Sequence, residues 1–161
     1  KGLALAISIL LLAGGYVFAL EKKLQWRAPV TVSTNTGSLR ESPDGIDWQP
    51  WSPEAVAKIR SEGHPVMVDF TADNCLNCQV NKATSLEIPA TRAKLKEIGA
   101  VSFLGDFTDN DPRIAAELRR YERAGVPLVL VFPRNPIAPV IVLPPILTPG
   151  IVADALDKAA K

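Results

Sequence analysis

The two cysteines of this chain, Cys75 and Cys78, lie three positions apart in the stretch FTADNCLNCQVNK, residues 70–82. Two sulfurs at this spacing can form a disulfide with each other and exchange it with a disulfide of another protein. The attacking species in such an exchange is a thiolate, which the free N–H groups and the dipole at a helix N-terminus stabilise. A Cys-x-x-Cys pair that follows a strand and begins a helix is therefore predicted to be redox-active.

The two sulfurs and one nearby carboxyl group are assigned different roles. Cys75 is the predicted nucleophile, because the first position lies at the exposed end of the predicted helix. Cys78, one turn inside, is the predicted resolving thiol. Asp69 lies six residues before Cys75 in an apolar strand, where burial would raise its pKa towards neutrality. We predict that Asp69 accepts and returns the proton of Cys78; the alternative is an ordinary, solvated residue at a strand end.

Three other uses of the cysteines compete with redox chemistry. A zinc site needs about four ligands, and the chain has two cysteines and a single histidine, His64, so we predict no metal site. A purely structural disulfide is possible, although closing so short a loop removes little entropy from the unfolded chain. Two buried free thiols fit poorly with a strand-to-helix turn, because such turns are normally exposed.

The elements that must position the pair can be predicted from apolar periodicity and from proline and glycine positions. Strands are predicted near Trp48 and over residues 65–71, 100–107, 127–132 and 139–143. Helices are predicted between them and after Thr148, with a break or kink at Pro89 and with the third helix ending near Gly125. Parallel units joined by helices, followed by a hairpin and a closing helix, predict an α/β fold with a thioredoxin-like mixed sheet flanked by helices.

The Val126–Pro127 bond begins the strand after the third helix. In the predicted topology this proline lies beside the cysteines. An X-Pro bond at a tight structural site can be cis, and the Val126 backbone would then be free to pair with an extended substrate segment. We predict that Val126 and Pro127 contribute to substrate binding.

The N-terminal part of the chain differs in composition from the rest. Residues 2–20 contain no charge and match the length of a membrane-spanning helix, which predicts a transmembrane helix over 1–20; a cleaved signal peptide or a buried core helix are the alternatives. Residues 21–45 are rich in Ser, Thr, Pro and Gly and are predicted to be a linker, and residues 46–161 have the size of a single domain. The net charge of +1 gives no electrostatic case for a nucleic-acid partner.

Three stretches of the chain together resemble the DsbD family of transmembrane thiol:disulfide interchange proteins. These stretches are VDFTADNCLNCQVNK, GVPLVLVFP and VLPPILTPGIVADAL. The likeness covers residues 46–161, which resemble the C-terminal thioredoxin-like domain of the family, and the preceding apolar segment looks like its last membrane helix.

The resemblance implies a reductase relay at the bacterial inner membrane, with the thioredoxin-like domain facing the periplasm. A membrane-embedded donor domain would supply electrons, and periplasmic thioredoxin-like or disulfide-bonded proteins would receive them, including those of cytochrome c maturation. By the motif, Cys75 and Cys78 would be the redox pair, Asp69 the acidic residue beneath it and Pro127 the cis-proline. No bound cofactor is implied beyond the cysteine pair.

Two positions depart from the pattern of the family. The residue before the first cysteine is usually tryptophan and is Asn74 here, a position that we assign to substrate binding. A glutamate often found seven positions after the first cysteine is replaced by Lys82, which we assign a modulating role. Loss of an aromatic cover and gain of a positive charge both favour the thiolate, so we predict a Cys75 pKa at or below that of typical relatives.

Two other functions remain open at this stage. An oxidase or isomerase on the same fold would differ by a much higher reduction potential. A non-catalytic binding module would use the groove beside Pro127 and keep the cysteines as a structural disulfide.

The charges cannot decide the orientation of the predicted span, because Lys1 alone precedes it while Lys22, Lys23 and Arg27 follow.

Overall fold

The computed structural model describes residues 45–161. The predicted transmembrane helix over 1–20 and all but the last residue of the predicted linker lie outside the described residues. Between residues 45 and 161, no helix combines the length and the apolar character that a membrane crossing requires.

The described chain contains five strands and five α-helices. The strands are β1 Trp48–Pro50, β2 Val66–Thr71, β3 Val101–Asp106, β4 Leu128–Phe132 and β5 Ile141–Val142. The helices are α1 Pro53–Ser61, α2 Leu76–Asn81, α3 Pro89–Ile98, α4 Pro112–Arg120 and α5 Pro149–Ala159. A π-helical turn, Lys82–Leu86, continues α2 towards α3.

The strands form one mixed sheet in the order β1-β3-β2-β4-β5. Strand β3 runs parallel to both β1 and β2, whereas β4 runs antiparallel to β2 and to β5. Strand β2 therefore lies in the centre of the sheet and ends immediately before the two cysteines. This mixed sheet with flanking helices confirms the predicted thioredoxin-like α/β fold.

Alternation along β2 divides the core into two clusters, one on each face of the sheet. Val66, Val68 and Phe70 pack with residues of α1 and α4, whereas Met67 belongs to the opposite cluster with residues of α3 and α5. All six β2 residues are buried, so this central strand is covered on both faces. Asp69 is on the Met67 side by the same alternation.

The structure differs from the sequence predictions at two element ends. Strand β5 is limited to Ile141–Val142 instead of residues 139–143; Pro139 has no N–H to offer the sheet, while the Leu143 N–H still donates to the Val129 carbonyl at 2.9 Å. Helix α4 ends at Arg120 instead of near Gly125. There Glu122 adopts a left-handed conformation with φ of 57°, and the Arg123 N–H donates to the Leu118 carbonyl, the pattern that terminates a helix.

Candidate redox site

The cysteine pair lies at the N-terminus of α2, where β2 delivers the chain into a short turn. Cys75 and Cys78 are joined by a disulfide, with their Cα atoms 5.3 Å apart. Cys75 is the N-cap residue of the helix, and its Sγ accepts a hydrogen bond from the Cys78 N–H at 3.2 Å. Cys75 is partly exposed and Cys78 is buried, so a partner protein can reach the first sulfur more easily than the second.

Asp69 is buried in the middle of β2, with 2% of its surface exposed. Its neighbours across the sheet are Leu104 and Val129, which offer no charge. Within the described part of the chain, its Oδ2 atom has no hydrogen-bond partner. Loss of hydration on burial raises the pKa of Asp69 from its ordinary 3.8 to about 7. The alternative of a solvated residue at a strand end does not describe this carboxyl group.

Two charged side chains from the turn after α2 act on Asp69. The Lys82 ammonium lowers the Asp69 pKa, and the Glu87 carboxylate raises it, both less strongly than burial does. The Lys82 N–H donates to the Cys78 carbonyl, so Lys82 and Cys78 lie one turn apart on the same side of the helix. Lys82, one of the two charged residues that act on Asp69, is thus joined to Cys78 through the backbone of this helix.

The predicted substrate-binding residues flank the cysteine turn. The Val126–Pro127 peptide bond is cis. Because Leu128 pairs with Phe70, Val126 and Pro127 lie at the same end of the sheet as the turn that precedes Cys75. Within residues 45–161, no backbone hydrogen bond engages Val126.

The residue before the first cysteine faces solvent. Asn74 is exposed in the turn between β2 and α2, where the Cys75 N–H donates to the Ala72 carbonyl at 3.1 Å. The contact of Asn74 with a substrate stays a prediction.

Sequence reasoning missed three residues that support the site. Asn81 is buried and joins the end of α2 to the loop before α5: its Nδ2 donates to the Pro145 carbonyl at 2.8 Å, and its Oδ1 accepts from the Leu147 N–H at 2.9 Å. Trp48 and Glu87 are joined by a 2.9 Å hydrogen bond across 39 positions of the chain. Only Asn81 gave any sequence signal, as a polar residue one position before the basic residue of the motif.

The match to a known family covers the sheet strands β1 to β4 and the cysteine pair. The family model described as thioredoxin-like matches residues 47–133, more than half of the 161-residue chain. The chain belongs to the thioredoxin-like family.

Two curated relatives carry the same kind of domain within much longer proteins. The thiol:disulfide interchange protein DsbD 1 of Pseudomonas aeruginosa is 35% identical over 78 residues, which are 48% of this chain and 13% of that protein. The thiol:disulfide interchange protein DsbD of Klebsiella pneumoniae is 33% identical over 76 residues, 47% of this chain and 12% of that protein. The matched segment therefore spans about an eighth of the length of these relatives.

Solved structures agree on the fold. The C-terminal domain of Neisseria meningitidis DsbD in the oxidised form superposes with a TM-score of 0.54 and 22% identity, covering 68% of this chain and 98% of that domain. A thioredoxin from Thermus thermophilus gives a TM-score of 0.54 and 23% identity, covering 70% of this chain and 85% of that protein. The fold, the Cys-x-x-Cys pair and the similarity to DsbD proteins support thiol–disulfide exchange as the general chemistry of this site.

Proposed function

We propose that the chain is a protein-disulfide reductase, a relay that passes two electrons through Cys75 and Cys78 to disulfide-bonded partner proteins. The observation on which the proposal rests is that Cys75, whose sulfur caps α2, is partly exposed, whereas Cys78 is buried. This arrangement separates an attacking sulfur from a resolving sulfur, which a purely structural disulfide would not require.

The reaction begins from the reduced pair. The Cys75 thiolate, favoured at the helix N-terminus, attacks one sulfur of the partner disulfide, and the other partner sulfur leaves as a thiolate that takes up a proton. The Cys78 thiol then gives its proton to the Asp69 carboxylate and attacks the Cys75 sulfur. The mixed disulfide breaks, the second partner sulfur leaves as a thiolate, and the Cys75–Cys78 disulfide is formed. Two electrons have moved from the chain to the partner.

Asp69 suits the proton transfer in this scheme. A general base works best when its pKa is near the working pH, and burial places the pKa of Asp69 at about 7. An exposed aspartate would be ionised throughout this range and would return a proton poorly. When a donor dithiol reduces the Cys75–Cys78 disulfide, the protonated Asp69 gives its proton back to the Cys78 sulfur.

The partner segment is proposed to lie beside Val126 and Pro127. The Val126 backbone is free within the described residues, so an extended peptide can pair with it while its disulfide approaches Cys75. Asn74 borders the same opening from the exposed turn. Pairing through the backbone needs no particular side chain on the partner, which suits a relay that serves several proteins.

The proposed setting is that of a DsbD-type protein at the bacterial inner membrane. The two DsbD relatives support it, as do the uncharged residues 2–20 at the start of the chain. In this setting the donor is a membrane-embedded domain, and the acceptors are periplasmic proteins with thioredoxin-like folds or exposed disulfides, including those of cytochrome c biogenesis.

The direction of electron flow is tested by the reduction potential of the pair. The chain is equilibrated in glutathione buffers, and its free thiols are counted by alkylation. A reductase is expected to give a value near or below about −200 mV, whereas a value near about −120 mV would indicate an oxidant and contradict the proposal.

Removal of the attacking sulfur tests the need for the cysteines. Cys75→Ser should abolish the reduction of insulin disulfides by the chain, and Cys78→Ser should accumulate a mixed disulfide between Cys75 and the substrate, visible on a non-reducing gel. The control is Asn77→Ser, a change at an exposed position between the cysteines. Turnover that survives in Cys75→Ser would refute the relay.

A further inference from the structure

The π-helical turn after α2 changes which side chains share a side of the helix. The Glu87 N–H donates to the Lys82 carbonyl at 2.8 Å, a bond across five residues. In an α-helix, residues five apart point about 140° away from each other. The wider π turn brings them back towards one side, and such turns occur frequently at functional sites. The turn therefore places Lys82 and Glu87 on the same side of this segment.

Trp48 of strand β1 contacts both of these charged side chains. Its Nε1–H donates to Glu87 Oε1 at 2.9 Å, and Lys82 Nζ lies over its ring, 5.9 Å from the centroid. Trp48 is 7% exposed and packs in the same core cluster as Met67, the β2 neighbour of Asp69 on the same face. One indole thus fixes a carboxylate at its edge and an ammonium over its face.

Opposite charges at this place have opposite consequences for Asp69. The Lys82 ammonium favours the ionised carboxyl group and the Glu87 carboxylate disfavours it. Leu104 and Val129, its neighbours in β3 and β4, are uncharged. Among residues 45–161, Lys82 and Glu87 are the charged groups that act on this carboxyl, and the nearby helix α2 adds the Cys78 thiol once the disulfide is reduced.

Without the opposing Glu87 carboxylate, Lys82 would shift Asp69 towards its ionised form, so a smaller fraction of Asp69 would carry a proton to return to Cys78. We propose that Glu87, held by Trp48 and turned to the same side as Lys82 by the π turn, is a positioning residue that keeps a proton available on Asp69. Glu87 does not touch the reacting sulfurs; it acts through Asp69. The role rests on the proposed function, in which Asp69 exchanges a proton with Cys78.

The proton affinity of Asp69 can be measured apart from turnover. The full chain is kept oxidised in a mild non-ionic detergent, so that no thiol titrates, and the Asp69 carboxyl carbon is followed by 13C NMR against pH. Glu87→Gln should move the midpoint to lower pH by about 0.5 to 1 pH unit. Lys82→Gln should move it to higher pH, which keeps the test usable if the Glu87 variant folds poorly.

Two further variants separate this role from simple structural support. Trp48→Phe keeps an aromatic ring and removes the N–H that holds Glu87, so the midpoint should move in the same direction as in Glu87→Gln. Glu62→Gln removes an exposed carboxylate beyond the end of α1 and should leave the midpoint in place. In reductase assays of the reduced chain, the pH at which the rate rises should follow the same order of variants.

The two proposals fail in different ways. If the Asp69 midpoint is unchanged in both Glu87→Gln and Lys82→Gln, the positioning role is overturned, whether or not the chain reduces disulfides. If the midpoint moves as expected but the wild-type chain reduces no disulfide, the relay is refuted and the electrostatic placement of Glu87 is upheld.

Discussion

Asp69 illustrates at the level of one residue how a fold raises the pKa of a carboxyl group. Asp69 lies in the central strand, where the packed core keeps water away from its side chain. Its Oδ2 has no hydrogen-bond partner within residues 45–161. An unpartnered buried carboxylate is costly for the folded state. This buried carboxyl group lies in the strand that leads into the cysteine pair, and buried groups with shifted pKa values are typical of functional sites.

The raised pKa of Asp69 predicts how stability depends on pH. The folded chain binds a proton at Asp69 more tightly than the unfolded chain does, so the free energy of unfolding falls as pH rises from about 4 to about 7 and is constant above that range. Between pH 5 and pH 8 this loss is on the order of 3 kcal/mol. Asp69→Asn should remove it, as measured by urea unfolding of the oxidised chain at both pH values.

The comparison variant is Asp73→Asn, which removes an exposed aspartate in the turn before Cys75. It should keep the wild-type loss of stability between pH 5 and pH 8. An equal loss in wild type and Asp69→Asn would show that Asp69 is not the group that titrates.

At the level of elements, α2 is held at its two ends by different means. Its first turn is capped by Cys75 Sγ, and its last residue, Asn81, is bonded to the loop that precedes α5. The six-residue helix is too short to be stable by itself. Its position therefore depends on these contacts, and the two sulfurs depend on its position.

Asn81→Ala should destabilise the folded chain by about 2–3 kcal/mol. The Pro145 carbonyl and the Leu147 N–H would lose their partner in a largely buried place, and an unpaired buried polar group costs about 1–3 kcal/mol. Urea unfolding of the oxidised chain measures the change. Asn77→Ala is the matched control, since Asn77 is exposed on the same helix and the gain in helix propensity is the same; equal effects of the two variants would contradict the anchoring role.

The elements of this fold could be predicted largely from local sequence. Strand β2 and helix α2 follow from the apolar run at residues 65–71 and from the cysteines after it, and Pro53, Pro112 and Pro149 each mark the first turn of a helix. The π turn could not be predicted in this way. The charged side chains at its two ends contact Trp48, which is 39 residues from Glu87 in the chain. Apolar periodicity contains no information about such a contact.

In the site, too, the residues that are close in sequence could be predicted, and the contacts between distant residues could not. The cysteines and Asp69 are neighbours in sequence, so the chain order itself places Asp69 within β2 and the cysteines in the turn and helix that follow it. The partners of Asn81 are 64 and 66 positions away. Long-range polar contacts of this kind depend on the packing of whole elements, which periodicity and propensity do not describe.

At the level of the whole molecule, the redox state of the pair and the stability of the fold are linked. Oxidised and reduced chains, folded and unfolded, form a thermodynamic cycle. If the folded chain has a lower reduction potential than the unfolded chain, the disulfide stabilises the fold, and a separation of 30 mV corresponds to about 1.4 kcal/mol. A strong oxidant shows the opposite order, because its reduced form is the more stable one.

The proposed reductase role therefore predicts that the oxidised chain unfolds at a higher urea concentration than the reduced chain at pH 7. The helix cap by Cys75 exists in the oxidised chain, whereas reduction adds a thiolate at the turn that follows the strand of Asp69, and a thiolate and a carboxylate repel each other. The helix N-terminus stabilises the thiolate. For a reductase, this stabilisation must be smaller than the repulsion between the thiolate and the Asp69 carboxylate. A variant with both Cys75→Ser and Cys78→Ser should unfold at one concentration in oxidising and reducing buffers. Greater stability of the reduced wild-type chain would make the pair an oxidant and reverse the proposed direction of electron flow.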